Sequence, residues 1–259
     1  MENLEEKSIS QNSVEIKNSI LSKLKVMQTI KQPDGLAEIR RLVATLPAKD
    51  QLIFETFIED KCKEQINTWV GSWSVTSADN NPTAIAIQKA AQEEFGLLKT
   101  ATHIKYKDAG VDEIYNRYGT AMKSFLRAQY DETQDFLKDY DTISLYRGMY
   151  YEKKDIAKTG NLISDFDNTV KNIDISLQPI SSFSTNPDIA VEFSDTGAYQ
   201  VVIKSDIPKE RILSTCQTGF GCKIESEMVV LGGEEQVSAI LIAPDGSIGN
   251  AINRFSGGK

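Results

Sequence analysis

Histidine is nearly absent from this chain: His103 is the only one in 259 residues. Hydrolases of the Ser-His-Asp and Cys-His kinds need a positioned imidazole as base, so both are disfavoured. Cysteine is scarce too. Cys62, Cys216 and Cys222 form an odd, sparse set, which fits a reducing compartment. Cys216 and Cys222 could bridge a loop, but sequence alone does not fix pairing. Their C-x5-C spacing is unlike the close ligand pairs of zinc sites, and no metal is expected. Long apolar runs are missing, so no membrane span is expected. The start, "MENLEEKSIS", has no apolar stretch of a signal peptide. These absences point to a soluble chain, cytoplasmic or delivered to a target cell by machinery that reads other signals. Positive charge is in deficit, with 29 Lys and Arg against 37 Asp and Glu, net −8. That balance disfavours non-specific attraction to nucleic acid or anionic lipid. The common nucleotide loops are lacking as well: "GFGCKIES" has no G-x-x-x-x-G-K-[ST] pattern, and "LGGEEQ" is no G-x-G-x-x-G.

What is present divides in two. The first half carries apolar residues at helical spacing: Ile16, Ile20, Leu24 and Met27; Leu36, Ile39 and Val43; Ile58, Cys62, Ile66 and Trp69. The polar stretch "GSWSVTSADNNP" follows and reads as a linker. It ends in Asn81-Pro82, an N-cap followed by proline at the first helical position. That signature predicts a helix from Pro82 to about Leu98. The stripe Ile114, Tyr118, Ala121 and Phe125 predicts another from about residue 112. From Thr142 onward the runs are short and β-rich, separated by turn residues: "TISLYRGMYY", "DISLQPISSFST", "AYQVVIK", "RILSTC", "KIESEMVVLGG" and "QVSAILIA". A helical half followed by a strand-rich half is an α+β arrangement. The expected organisation is a helical module over 1–75 and a second domain over 76–259.

Three pieces of the β-rich half are chemically unusual. In "LYRG", Arg147 lies inside an apolar run and Gly148 follows it. An arginine there must be paired or at a rim. Its planar fork suits phosphate oxygens, and a glycine beside it lets a ligand or another backbone come close. A structural pairing with a carboxylate would explain the arginine equally. In "SSFSTNPDIAVEF", Ser182, Ser184 and Thr185 gather at the end of one run, and Asn186-Pro187 opens a short helix. Capping explains Asn186 but not the hydroxyls before it. In "KIESEMVVLGG", Glu225 and Glu227 stand one residue apart. On a regular strand they would share a face, roughly 7 Å apart. An edge strand with a solvated face is the simpler reading of that pair.

In this order the three pieces resemble the arginine–serine–glutamate signature of the mono-ADP-ribosyltransferases, the group of the cholera-like toxins, the clostridial exoenzymes and the vertebrate arginine-specific transferases. "YRG" stands for the arginine, "F-S-T-N" for serine-threonine-serine, and "E-S-E" for glutamate-x-glutamate. "AQYDETQDFLKDY" is similar to the helix before the arginine strand, and "TCQTGFGCK" to the loop before the glutamates. The resemblance spans about residues 83 to 243. It implies a core of two packed antiparallel β-sheets with flanking helices, and NAD as substrate without a metal. It also implies cleavage of the nicotinamide–ribose bond and transfer of ADP-ribose to an acceptor. By that resemblance Arg147, Gly148, Ser184, Thr185, Phe193 and Glu227 bind NAD. Arg147 holds the phosphates, Ser184 orients Glu227, and Phe193 packs on nicotinamide or serves the core. Glu227 stabilises the cationic ribose, and Glu225 takes the acceptor's proton.

Two departures from the pattern stand out. Asn186 occupies the third serine-threonine-serine position and can cap equally well. Cys222 stands where several toxins carry a substrate-choosing aromatic, with Phe220 two residues earlier. Glutamate at the first position of the pair favours arginine in a protein as acceptor, because guanidinium is a very weak acid and needs a base beside it. A toxin or effector role follows, with an antitoxin or immunity protein as an expected partner. A nucleic-acid acceptor is the rival, kept open by the basic "KTATHIKYK". A catalytically degenerate, partner-binding member is a second rival. A glycosidase ranks last, because its two carboxylates flank the scissile bond about 5 to 9 Å apart rather than standing together on one strand.

Overall fold

The computed structural model describes residues 41–62, 81–97, 109–159, 162–195, 199–218 and 225–242. The chain divides into two compact units, Met1–Asp34 and Gly35–Lys259, and every described residue belongs to the second. The stripes over 16–39, His103, the basic stretch over 99–107, Phe220 and Cys222 lie outside the described residues.

Helix formation follows the signals in the sequence. Asn81 has extended backbone, and its side chain accepts the amides of Thr83 and Ala84 at 3.0 and 3.2 Å. Pro82 then starts α2 (Pro82–Glu94), where a missing amide costs nothing. Ile114, Tyr118, Ala121 and Phe125 all lie on the buried face of α3 (Ala109–Phe136), as their spacing predicts. Helix α1 (Ala48–Cys62) packs on α3 through Phe54 and Phe57. Phe54 stacks on Phe125 with ring centres 4.7 Å apart, and Phe57 meets Tyr118 edge-on at 5.0 Å. Neither phenylalanine belongs to the stripe read over this helix, which ran through Ile58 and Cys62.

Seven strands follow among the described residues: β1 (Thr142–Tyr151), β2 (Val170–Ser176), β3 (Ile180–Ser184), β4 (Tyr199–Pro208), β5 (Ile212–Thr215), β6 (Glu227–Leu231) and β7 (Glu234–Ile242). Helix α4 (Pro187–Ser194) lies between β3 and β4. Among the described residues the strands form one antiparallel sheet in the order β2-β7-β4-β1-β3-β6-β5, not the two packed sheets that the resemblance implies. Its centre is a narrow join. β1 pairs with β4 along all ten residues but meets β3 only at Tyr146 opposite Ser184. Beyond that point β1 and β3 part, so the sheet behaves as a wing of four strands and a wing of three sharing one hinge.

Apolar alternation sorts the core around these wings. Phe183, Met228 and Val230 from the smaller wing join Leu145, Val201, Ile203 and Leu241 from the larger one in one cluster. On the opposite face, Ile180, Val229 and Leu231 join the three long helices. The parted edge of β3 leaves backbone groups open. Gln88 of α2, fully buried, fills one gap: its Oε1 accepts the Ile180 amide at 2.7 Å and its Nε2 donates to the Ile180 carbonyl at 3.0 Å. A glutamine in an apolar helix face is thereby satisfied on both sides. No helix among the described residues is long and apolar enough to cross a membrane.

Candidate functional site

The second gap on the β3 edge is filled by Arg147. Where β1 leaves β3, the Ser182 carbonyl has no strand partner, and Arg147 Nη1 donates to it at 2.5 Å. The guanidinium lies 5.9 Å from the centre of the Phe183 ring. Its Nε is fully buried and has no hydrogen-bond partner among the described residues. Burial pulls the Arg147 pKa below its usual value, opposed by the neighbouring Tyr151 and Glu227. Arginine stays protonated in proteins, so this marks a poorly solvated cation with a spare donor, as an anion site requires.

Glu227 opens β6, opposite Ser184, with only 4% of its surface exposed. Antiparallel alternation puts Ser182, Ser184 and Glu227 on one face of the smaller wing. The Ser182 hydroxyl donates to Glu227 Oε1. Ser184 does something different from the orienting of Glu227 that the resemblance implies. Its hydroxyl donates to the Glu225 carbonyl at 2.6 Å and accepts the Asn186 amide at 2.9 Å. The Thr185 amide donates to the Ser226 carbonyl at 3.3 Å. Ser184 and Thr185 therefore secure the chain just before Glu227, and Ser182 is the serine that holds the carboxylate.

The two glutamates do not stand on one regular strand. Ser226 has φ +48°, left-handed backbone that side chains other than glycine seldom adopt. β6 begins only at Glu227, and Glu225, half-buried, belongs to the turn before it. The face-sharing pair expected from the spacing is thereby replaced by one buried carboxylate on the sheet and one on the turn. The strand-terminal turn breaks the alternation.

The stem of that turn is fixed by threonines. Thr218 and Thr133 of α3 share a hydrogen bond of 2.6 Å, and Thr218 Oγ1 accepts the Thr215 amide at 3.1 Å. Thr215 Oγ1 in turn accepts the amides of Gln217 and Thr218. The Cys216 amide donates to the Glu227 carbonyl at 2.9 Å, joining the two ends of the segment over 217–226. Cys216 itself is buried.

Gly148 and Phe193 lie around α4. A methyl group on Gly148 would fall 1.8 Å from the Ala190 carbonyl oxygen, so the close approach at this glycine is made by the backbone of α4. Asn186 caps that helix, its side chain accepting the Asp188 amide at 3.0 Å. Phe193 is half exposed, at 51%, rather than part of a core cluster. The sequence singles out Ser182 as one of three unexplained hydroxyls, but gives it no role beside Glu227. The signal available was the doubled serine of "SSFST", where alternation from Ser184 puts Ser182 on the same face. No protein-family model, curated protein or solved structure matches the chain.

Proposed function

We propose that this protein is a mono-ADP-ribosyltransferase that uses NAD as substrate and modifies arginine in a protein. One observation carries the reading. Arg147, Ser182 and Glu227, 35 and 45 residues apart along the chain, meet where β1, β3 and β6 lie side by side. Burying each group is costly, and Arg147 is anchored on a backbone carbonyl with its Nε unused, where a purely structural pair would spend that donor.

The chemistry follows from those groups. Arg147 offers the part of its guanidinium fork not spent on the Ser182 carbonyl to the pyrophosphate. Nicotinamide leaves with the electron pair of its bond to the ribose, and positive charge develops on the ribose. Glu227, held in a sheltered place, stabilises that charge as carboxylates do in glycoside cleavage. A guanidinium nitrogen of the acceptor then forms the new bond and gives its proton to Glu225. Glu225 on the turn, rather than on the sheet, stands with the segment that would meet the acceptor. Phe193, half exposed on α4, is an aromatic surface for nicotinamide.

The test is release of nicotinamide from NAD by the purified full-length protein. Wild type should release it and Glu227→Gln should not. A correctly folded wild-type protein that neither releases nicotinamide nor labels a lysate from tagged NAD would overturn the proposal.

A further inference from the structure

We propose that Ser182 is a positioning residue of this site, joining the hold on the NAD phosphates to the aim of Glu227. This rests on the transferase reading above. The observation is that one residue contacts both charged groups. The Ser182 carbonyl accepts from Arg147 Nη1, and the Ser182 hydroxyl donates to Glu227 Oε1. Its own position is fixed by the sheet: Ser182 lies opposite Val229 in the β3–β6 register, between two strand residues whose side chains are buried. A donor on a rigid strand selects a carboxylate rotamer better than one on a loop.

The parting of β1 from β3 makes the arrangement necessary. With a full β1 partner, the Ser182 carbonyl would be used in the ladder and Arg147 would have no anchor beside Glu227. Because the sheet opens there, the cation and the carboxylate are attached to the same backbone unit, one through its carbonyl and one through its side chain. A hydroxyl that acts through Glu227 should affect the bond-breaking step, while phosphate binding by the Arg147 guanidinium should continue without it. The roles are therefore separable in kinetics.

The test compares Ser182→Ala, Ser182→Cys and Ser182→Thr in the full chain. Turnover for nicotinamide release and the NAD dissociation constant by calorimetry are measured for each. Losing a hydrogen bond to a charged group corresponds to about ten- to a hundredfold. Ala and Cys should lose turnover by that factor with NAD affinity unchanged, and Thr, which keeps the hydroxyl, should retain it. Should Ala fail to fold, the near-isosteric Cys carries the comparison. Wild-type turnover in Ala or Cys would overturn the inference, and so would a Thr variant as impaired as Ala. An inactive wild-type protein would overturn the transferase reading, and this inference with it; an active one with an indifferent Ser182 overturns the inference alone.

Discussion

Glu227 and Glu225 differ by two positions and by everything around them, and their substitutions should differ accordingly. Glu227 is buried and takes the Ser182 hydroxyl. Glu227→Gln keeps the shape and removes the charge, so both nicotinamide release and transfer should vanish. Glu225→Gln, on the half-buried turn, should lose transfer but keep nicotinamide release, because water needs less help from a base than a guanidinium does. Equal loss of both activities in the two folded variants would refute that division. Arg147 makes a separate claim. Lysine would keep the charge and lose the planar fork. It would also lose the anchor on the Ser182 carbonyl. Arg147→Lys should therefore weaken NAD binding by about ten- to a hundredfold, the equivalent of one charge-assisted hydrogen bond. Unchanged affinity in calorimetry would return Arg147 to a structural role.

At the level of elements, α4 sits on β1 only because residue 148 has no side chain. A methyl 1.8 Å from the Ala190 carbonyl oxygen and 2.8 Å from the Ser194 amide nitrogen meets backbone, which cannot swing aside. Gly148→Ala should thus cost about 3 kcal/mol or more, the upper range for overpacking, read as a lowered denaturation midpoint. The loop stem gives a second case. Thr218→Val removes the hydroxyl that bonds Thr133 and the buried Thr215 amide. An amide left without a partner costs roughly 1 to 3 kcal/mol. A midpoint equal to wild type would show that the threonine network holds nothing. Much at this scale was legible in the sequence. Asn81-Pro82 and Asn186-Pro187 mark two helix starts because capping is local chemistry, and "TISLYRGMYY" coincides with β1 because half of its residues are β-branched or aromatic. The order of strands was not legible, since pairing between β1 and β3 is decided by distant packing. The left-handed Ser226 was not legible either, because "E-S-E" carries no glycine to announce a turn. For the same reason spacing suggested two glutamates on one face; Ser184 as the partner of Glu227 came from the resemblance alone.

The whole molecule turns on where the chain can be cut. A seam near residue 75 falls between α1 and α2, yet Phe54 and Phe57 of α1 share one apolar cluster with Ala90 of α2, Phe125 of α3 and Val229 of β6. Leu42, Val43 and Leu46, just before α1, belong to the same cluster. Truncating one buried phenylalanine to alanine costs about 3 to 5 kcal/mol. Domains hold only about 5 to 15 kcal/mol of net stability, so removing two such rings and three aliphatic residues together exceeds what is available. A protein starting at Asn80 should therefore expose a wide apolar face and aggregate or lose cooperative unfolding. The boundary between the compact units lies earlier, at Asp34 and Gly35. A protein starting at Gly35 should stay soluble, unfold cooperatively and release nicotinamide from NAD as the full chain does. If residues 1–34 serve recognition, that shorter protein should lose labelling of its natural acceptor in a lysate while keeping nicotinamide release. A soluble, cooperatively folded protein starting at Asn80 would overturn the packing argument, because the cluster built on Phe54 and Phe57 would then be dispensable.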